Sequence, residues 1–191
     1  MNILIVGVGG QGTLLTSRVL GKYAEMQGMD CKLSEVHGMS QRGGSVVTHV
    51  RIANEVFSPT IWEGSADLIL AFEKLEALRY LHYLKKDGAV LVNDMEIYPM
   101  PVINGSVKYP ENILGKLAEK ANVKALNAAD VAKEAGNIKA LNIVMVGALT
   151  AIYGLDHDVM RSAVEACVPA KFAALNLTAF EMGFDKGQQI K

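Results

Sequence analysis

Ile3-Leu4-Ile5-Val6-Gly7-Val8-Gly9-Gly10-Gln11-Gly12 is an apolar run that passes straight into a Gly-x-Gly-x-x-Gly turn, and a helix-like segment from about Gln11 to Gln27 follows it. Strand, turn and helix in that order read as the opening unit of an α/β sheet that binds a nucleotide-type phosphate. The glycines answer separate needs. Gly7 allows the tight turn out of the strand, Gly9 lets backbone approach a phosphate with no Cβ in the way, and Gly12 lets helix pack closely on strand. Gly10 and Gln11 complete the turn, so that free N–H groups and the positive end of the helix dipole face an anion. Thr13, Thr16 and Ser17 follow in the first turns; Thr13 is best placed for its hydroxyl to reach that anion, although the same hydroxyls serve ordinary helix starts.

Asp30-Cys31-Lys32-Leu33-Ser34-Glu35-Val36 reads as a second strand, and Glu35 falls roughly 20 residues or a little more beyond the turn, where a dinucleotide site wants an acid for the adenine ribose. The other reading of Glu35 is an exposed carboxylate at a strand end.

Beyond this, strand-like and helix-like runs alternate, which predicts a Rossmann-like open, mostly parallel sheet with flanking helices. No helix fits between Glu35 and the β-branched run Ser45 to Ile52, so a crossover is missing there and an antiparallel strand is expected at the sheet edge. Asp67 to Ala71 and Ala89 to Asn93 read as buried strands, with a helix from Lys74 to Leu84 and a turn at Lys86-Asp87-Gly88 between them. Tyr98 to Pro110 is irregular, with room for a small hairpin at Asn104-Gly105. A helix from Pro110 to Lys120, a strand from Val123 to Leu126, a helix from Asn127 to about Gly136 and a helix from Ile138 to Tyr153 follow; the last is apolar on nearly all sides and must be buried. Helices at Asp156 to Cys167 and Ala170 to Met182 end the chain, with Gly183 as terminator. One domain over 1–191 suits the length.

The formal net charge of -1, with 20% charged residues, excludes the basic footprint of a nucleic-acid binder. A hydrophobic content of 50% and a mean hydropathy of +0.20 predict surface buried against a partner. A membrane span is excluded because Lys139, Asn142 and Thr150 interrupt the most apolar stretch. No charged-then-apolar leader precedes the first strand. Cys31 and Cys167 lie far apart and form no metal-like cluster with the four histidines, which points to a reducing, cytoplasmic setting and to no metal site. Asp94 and Glu96 read as a solvated strand end.

The second motif is Glu35-Val36-His37-Gly38-Met39-Ser40-Gln41-Arg42-Gly43-Gly44. As a loop off the carboxyl end of the second strand it overhangs the same crevice as the glycine turn. Arg42 offers a fork of donors suited to phosphate, and Gly43-Gly44 allow close backbone approach; a structural turn with an exposed arginine is the other reading. His37 could orient or protonate a carboxylate or thioester oxygen, or simply cap the turn.

Together the glycine turn and this loop resemble the small subunits of the 2-oxoacid:ferredoxin oxidoreductases, nearest the branch that oxidises indolepyruvate. Asn176, Ala179, Phe180 and Gly183 also match that family's Asn-x-x-Ala-Phe-x-x-Gly ending. The resemblance implies a Rossmann-like subunit of an enzyme that oxidatively decarboxylates a 2-oxoacid onto coenzyme A and passes electrons to ferredoxin. It further implies that thiamine diphosphate, Mg²⁺ and iron–sulfur clusters sit on a large partner subunit in a hetero-oligomer, leaving this chain a coenzyme A contact. The residues agree by subtraction: two cysteines cannot ligate a four-cysteine cluster, and Lys86-Asp87-Gly88 is the nearest approach to a thiamine-type Gly-Asp-Gly. Two other classes stay open, a free-standing NAD(P)- or FAD-dependent oxidoreductase using Gly7, Gly9, Gly12 and Glu35, and a non-catalytic nucleotide-binding module.

Overall fold

The computed structural model describes residues 1–38 and 43–191. In chain order the elements are β1 (Asn2–Val8), α1 (Thr13–Met26), β2 (Asp30–His37), β3 (Ser45–Ala53), β4 (Ala66–Ala71), α2 (Lys74–Arg79), β5 (Leu84–Asn93), α3 (Met100–Ile103), α4 (Ile113–Ala118), β6 (Asn122–Leu126), α5 (Ala128–Glu134), α6 (Leu141–Tyr153), α7 (His157–Cys167) and α8 (Ala173–Ile190). Short 3-10 turns at Leu81–Tyr83, Ile138–Ala140 and Ala170–Phe172 lead into β5, α6 and α8.

The six strands form one sheet in the order β2-β3-β1-β4-β5-β6. β1, β4, β5 and β6 are parallel neighbours, whereas β3 runs antiparallel to β1 and β2 antiparallel to β3. The antiparallel pairing expected at one edge is therefore present, with β2 outermost. Its cause is local: a connection of only a few residues can return a chain beside itself but cannot carry it over a face of the sheet.

Alternate residues of each strand feed two cores. Ile3, Ile5, Val50, Leu68 and Leu91 pack under α1, α5, α6 and α8, while Leu4, Val6, Val47, Ile69 and Val90 pack under α2 and α4. The helix after β1 thus leaves to one face and the helix after β4 to the other, although β1 and β4 are neighbours. Such a reversal opens a crevice at the carboxyl ends of the two strands.

Three local expectations are corrected. The turn at Lys86-Asp87-Gly88 lies inside β5, where the pairing with β4 jumps from Ala66↔Leu84 to Leu68↔Ala89 and absorbs the extra residues as an irregularity. Asn104-Gly105 makes no hairpin; it closes the short α3, with Gly105 at φ 79°. Gly183 terminates nothing, since α8 continues to Ile190. Its missing Cβ lets α8 rest on the Val144 carbonyl, as that of Gly147 does against the Phe180 carbonyl and that of Gly187 against Ala148. Val144 meets Gly183 and Ala148 meets Gly187, so α6 and α8 run parallel.

Tyr98, Met100, Ile103 and Val107, in the irregular segment that follows β5, are exposed apolar side chains. Among the described residues no helix is long and apolar enough to cross a membrane.

Candidate functional site

A cavity of about 420 Å³ opens beside the start of α1, with Gly10, Gly12, Thr13 and Leu14 on one side and Glu35, His37 and Val46 on the other. The glycine turn and the end of β2 do meet, although β3 stands between β1 and β2. The Glu35 carboxylate accepts hydrogen bonds from Thr48 Oγ1 at 3.2 Å and Thr13 Oγ1 at 3.5 Å. Thr48 is fully buried and directly opposite Glu35 in the β2–β3 ladder, so the sheet itself aims this acid at the helix start. His37 is exposed at the rim, its Nδ1 3.1 Å from the neighbouring Gly38 carbonyl.

The glycines do not all act as their spacing suggests. Gly9 N–H donates to Gly44 O at 2.9 Å, so this amide ties the two loops together instead of pointing outward. Gly12 begins α1 in the left-handed region, φ 85°, and a Cβ there would stand 2.7 Å from Asn142 Nδ2 of α6. Its packing partner is therefore α6 and not the strand. A Cβ on Gly7 would stand 2.8 Å from Gln11 Oε1 and 3.1 Å from Phe72 Cβ, which makes the first glycine a demand of the crowded crevice. Gly10, at φ 102°, has open space around it, as does Gly43, at φ 76°. Arg42 lies outside the described residues.

The crevice between β1 and β4 is filled from within. Gln11 Oε1 accepts from Val8 N–H at 2.7 Å, and Gln11 Nε2 donates to Phe72 O at 2.9 Å. Asn93 Nδ2 donates to the same carbonyl at 3.0 Å and Asn93 Oδ1 accepts from Ala128 N–H, extending the tie to β5 and α5. The α1-side cavity has no described cation in its lining; a second cavity of about 450 Å³ opens on the side of α2 and α4, lined by Lys74, Asp94, Glu96, Tyr98 and Tyr109 among others.

Two buried acids beside the crevice escaped the sequence reading. Glu73 caps α2 by accepting from Glu76 N–H at 2.8 Å and also accepts from Ile97 N–H and the Tyr109 hydroxyl. Burial pushes the Glu73 carboxyl above the usual range against those hydrogen bonds, and both burial and the facing carboxylate push the Tyr109 phenol up. Glu76 takes the Ser45 hydroxyl and Arg79 Nε. Beyond the helix-start contacts three residues away, their partners Ile97, Tyr109 and Ser45 are 24 to 36 residues away, so sequence spacing does not reveal them. Asp94 and Glu96 both hold the Lys74 ammonium at 3.0 Å, which raises the lysine pKa overall although its partial burial opposes this.

The other singled-out residues are structural. His49 accepts from Ile61 N–H at 3.2 Å, and burial holds its pKa below the usual value. Cys31 in β2 and Cys167 at the end of α7 are free thiols; burial raises both, Cys31 to about 11, so neither is an activated nucleophile.

The family model described as pyruvate ferredoxin/flavodoxin oxidoreductase matches residues 2–186. The indolepyruvate oxidoreductase subunit IorB of Archaeoglobus fulgidus is 42% identical over 193 residues, covering 97% of this chain and 94% of that one. The crystal structure of the gamma subunit of a keto/oxoacid ferredoxin oxidoreductase from Geobacter sulfurreducens superposes with a TM-score of 0.74 at 28% identity, covering 98% of both chains. The 2-oxoglutarate:ferredoxin oxidoreductase from Magnetococcus marinus, solved with 2-oxoglutarate, coenzyme A and succinyl-CoA bound, shares the fold with a TM-score of 0.74 at 18% identity; there all of this chain matches 31% of a longer one.

Proposed function

The chain belongs to the pyruvate ferredoxin/flavodoxin oxidoreductase family as a gamma-type small subunit, and we propose that the complex it enters oxidises indolepyruvate or another arylpyruvate to the acyl-CoA, CO₂ and reduced ferredoxin. The observation that carries the substrate is the 42% identity, over nearly the whole of both chains, to a subunit named for indolepyruvate. In this reading residues 1–191 act as one domain in a reducing, cytoplasmic setting.

Thiamine diphosphate and iron–sulfur clusters do not fit this chain. Asp87-Gly88 lies within a β-strand and not in a loop that could hold a diphosphate and its metal, and two cysteines are too few for a four-cysteine cluster. Both cofactors, with Mg²⁺, therefore fall to the large partner subunit, which also passes electrons to ferredoxin. What remains here is the anionic co-substrate. Backbone N–H groups at Gly10, Gly12 and Thr13 suit the phosphates of coenzyme A, and Glu35, held by Thr48 and Thr13, suits hydroxyl groups of its ribose. Gly9 contributes by tying Gly44 to the turn, and Arg42 is proposed as a further phosphate ligand. His37 at the rim is placed to donate to a thioester or carboxylate oxygen.

The experiment is reconstitution. The chain is expressed with and without the large subunit, and 2-oxoacid- and coenzyme A-dependent dye reduction is measured with indolepyruvate, phenylpyruvate, pyruvate and 2-oxoglutarate. Turnover is expected from the pair alone, with aryl substrates preferred. Turnover by the isolated chain, or none by the pair on any 2-oxoacid, overturns the reading. Tight binding of NADH, NADPH or FAD that Glu35→Ala abolishes would move the chain to a free-standing dehydrogenase.

A further inference from the structure

Four apolar side chains stand in solvent in the short stretch that follows β5: Tyr98, Met100, Ile103 and Val107 are each more than half exposed. Single exposed apolar residues are ordinary, but a run of them marks a surface that another molecule covers.

The segment is built to present them. Pro99 and Pro101 open α3, which places Met100 and Ile103 one turn apart on one face. Val107 N–H donates back to Pro101 O at 3.0 Å, and Asn104 Oδ1 accepts from Ser106 N–H at 3.0 Å, so the stretch after the helix folds against it. Proline-fixed backbone and these bonds leave little freedom to lose when a partner docks.

The cavity on the side of α2 and α4 adds charge to this surface, and Tyr98 belongs to both. The Tyr98 and Tyr109 rings lie with centroids 5.1 Å apart. Each is tied to a carboxylate, since the Tyr109 hydroxyl donates to buried Glu73 and the Tyr98 hydroxyl to Glu96 at 3.2 Å. Among the described residues of the lining, Asp94, Glu96 and Glu111 stand against one ammonium, that of Lys74, which Asp94 and Glu96 already hold. An ordered aromatic face beside an excess of carboxylates suits a guanidinium, which stacks on the ring while donating to the acids.

Position and charge indicate the occupant. β1, β4 and β5 run parallel, so this surface and the glycine turn lie at the same end of the sheet, and a partner seated here also stands over the candidate coenzyme A site. A second copy of the chain, docking through the same patch about a two-fold axis, would bring one acid-rich cavity against another.

We infer that this surface seats the large partner subunit, which covers Met100, Ile103 and Val107 with apolar side chains and inserts an arginine into the acid-rich cavity against Tyr98. The inference rests on the reading of this chain as the small subunit of such a complex and adds where the two meet.

The test is biolayer interferometry of the purified large subunit on the immobilised full chain, at low and high salt, with circular dichroism checking each variant. Met100→Lys with Ile103→Lys should weaken binding at least about hundredfold, chiefly through faster dissociation. Glu111→Lys should slow association about tenfold at low salt and far less at high salt. Phe57→Lys with Trp62→Lys, which alters two other exposed apolar side chains, should change neither rate by more than about twofold. Binding unmoved by the Met100 and Ile103 changes, or lost through the Phe57 and Trp62 changes, overturns the inference and leaves the subunit reading standing. A homodimer in sedimentation that the Met100 and Ile103 changes disperse, while the large subunit still binds, overturns it in favour of a second copy. Association of the Glu111 variant at the parent's rate overturns the arginine contact. A parent chain that does not bind the large subunit at all defeats the subunit reading and this inference together.

Discussion

Gln11 joins residues from two strands: its amide nitrogen donates to Phe72 O beyond β4 while its amide oxygen accepts from Val8 N–H at the end of β1. A side chain that sequence spacing assigns to ligand binding therefore closes the crevice where open α/β sheets bind ligands. The consequence is directional: beside the turn itself, space opens on the α1 side, toward Glu35.

Replacing Gln11 by Leu should strand the Val8 donor and remove one of the two donors to Phe72 O, at a cost of about 1–3 kcal/mol of stability. Gly7→Ala should cost a similar amount, because its Cβ would push on the same amide. Urea unfolding of the three proteins checks this. If the Gln11 variant is as stable as the parent but loses coenzyme A affinity, the side chain is a ligand contact and not a tie.

Gly183→Ala should be among the most damaging substitutions in the chain. The added methyl overlaps the Val144 backbone, and neither α6 nor α8 can yield without losing its contact along Gly147 and Gly187. A loss of about 3 kcal/mol or more is expected. Gly10→Ala meets no neighbouring atom but must hold φ 102°, so its cost should be strain of about 1–3 kcal/mol with packing intact. Thermal unfolding with near-ultraviolet circular dichroism separates the two, since only the first should loosen the aromatic environment around Phe180.

The final helix is held by a titratable contact. His157 Nδ1 meets Asp158 at 2.9 Å and Nε2 meets Glu181 of α8 at 2.8 Å, and these carboxylates raise the imidazole pKa above 6.5 although partial burial opposes it. A folded pKa above the unfolded value means that the stabilisation is complete below about pH 6.5 and fades as pH rises through the folded value. The melting temperature of the parent should therefore fall relative to His157→Gln between pH 6 and pH 8.5, and the difference should shrink in high salt. Parallel pH profiles for the two proteins would show that the ion pairs contribute nothing.

How far the site was legible depends on the range of the interactions that build it. The glycine turn was readable because strand, turn and helix are contiguous, and Glu35 was singled out by its distance in sequence beyond the turn, with only α1 between them. The roles of Gly9 and Gly12 were not, since their partners, Gly44 and Asn142, are distant in sequence and spacing cannot encode them. The missing crossover after Glu35 foretold antiparallel pairing, but periodicity says nothing of the order in which strands line up. Gly183 was misread because a local helix-ending preference was overruled by packing of helix on helix. Asn142 did carry a signal, a polar residue in an apolar helix, but it served only to argue against a membrane span.

Tyr98, Met100, Ile103 and Val107 leave an apolar segment in water whenever the chain stands alone. On the proposal that a large subunit covers this segment, unequal synthesis of the subunits turns stoichiometry into surveillance: a copy without that partner displays what chaperones and proteases recognise. Pulse-chase lifetimes should be shorter without the large subunit than with it, and Met100→Lys with Ile103→Lys should lengthen the lifetime of the orphan chain.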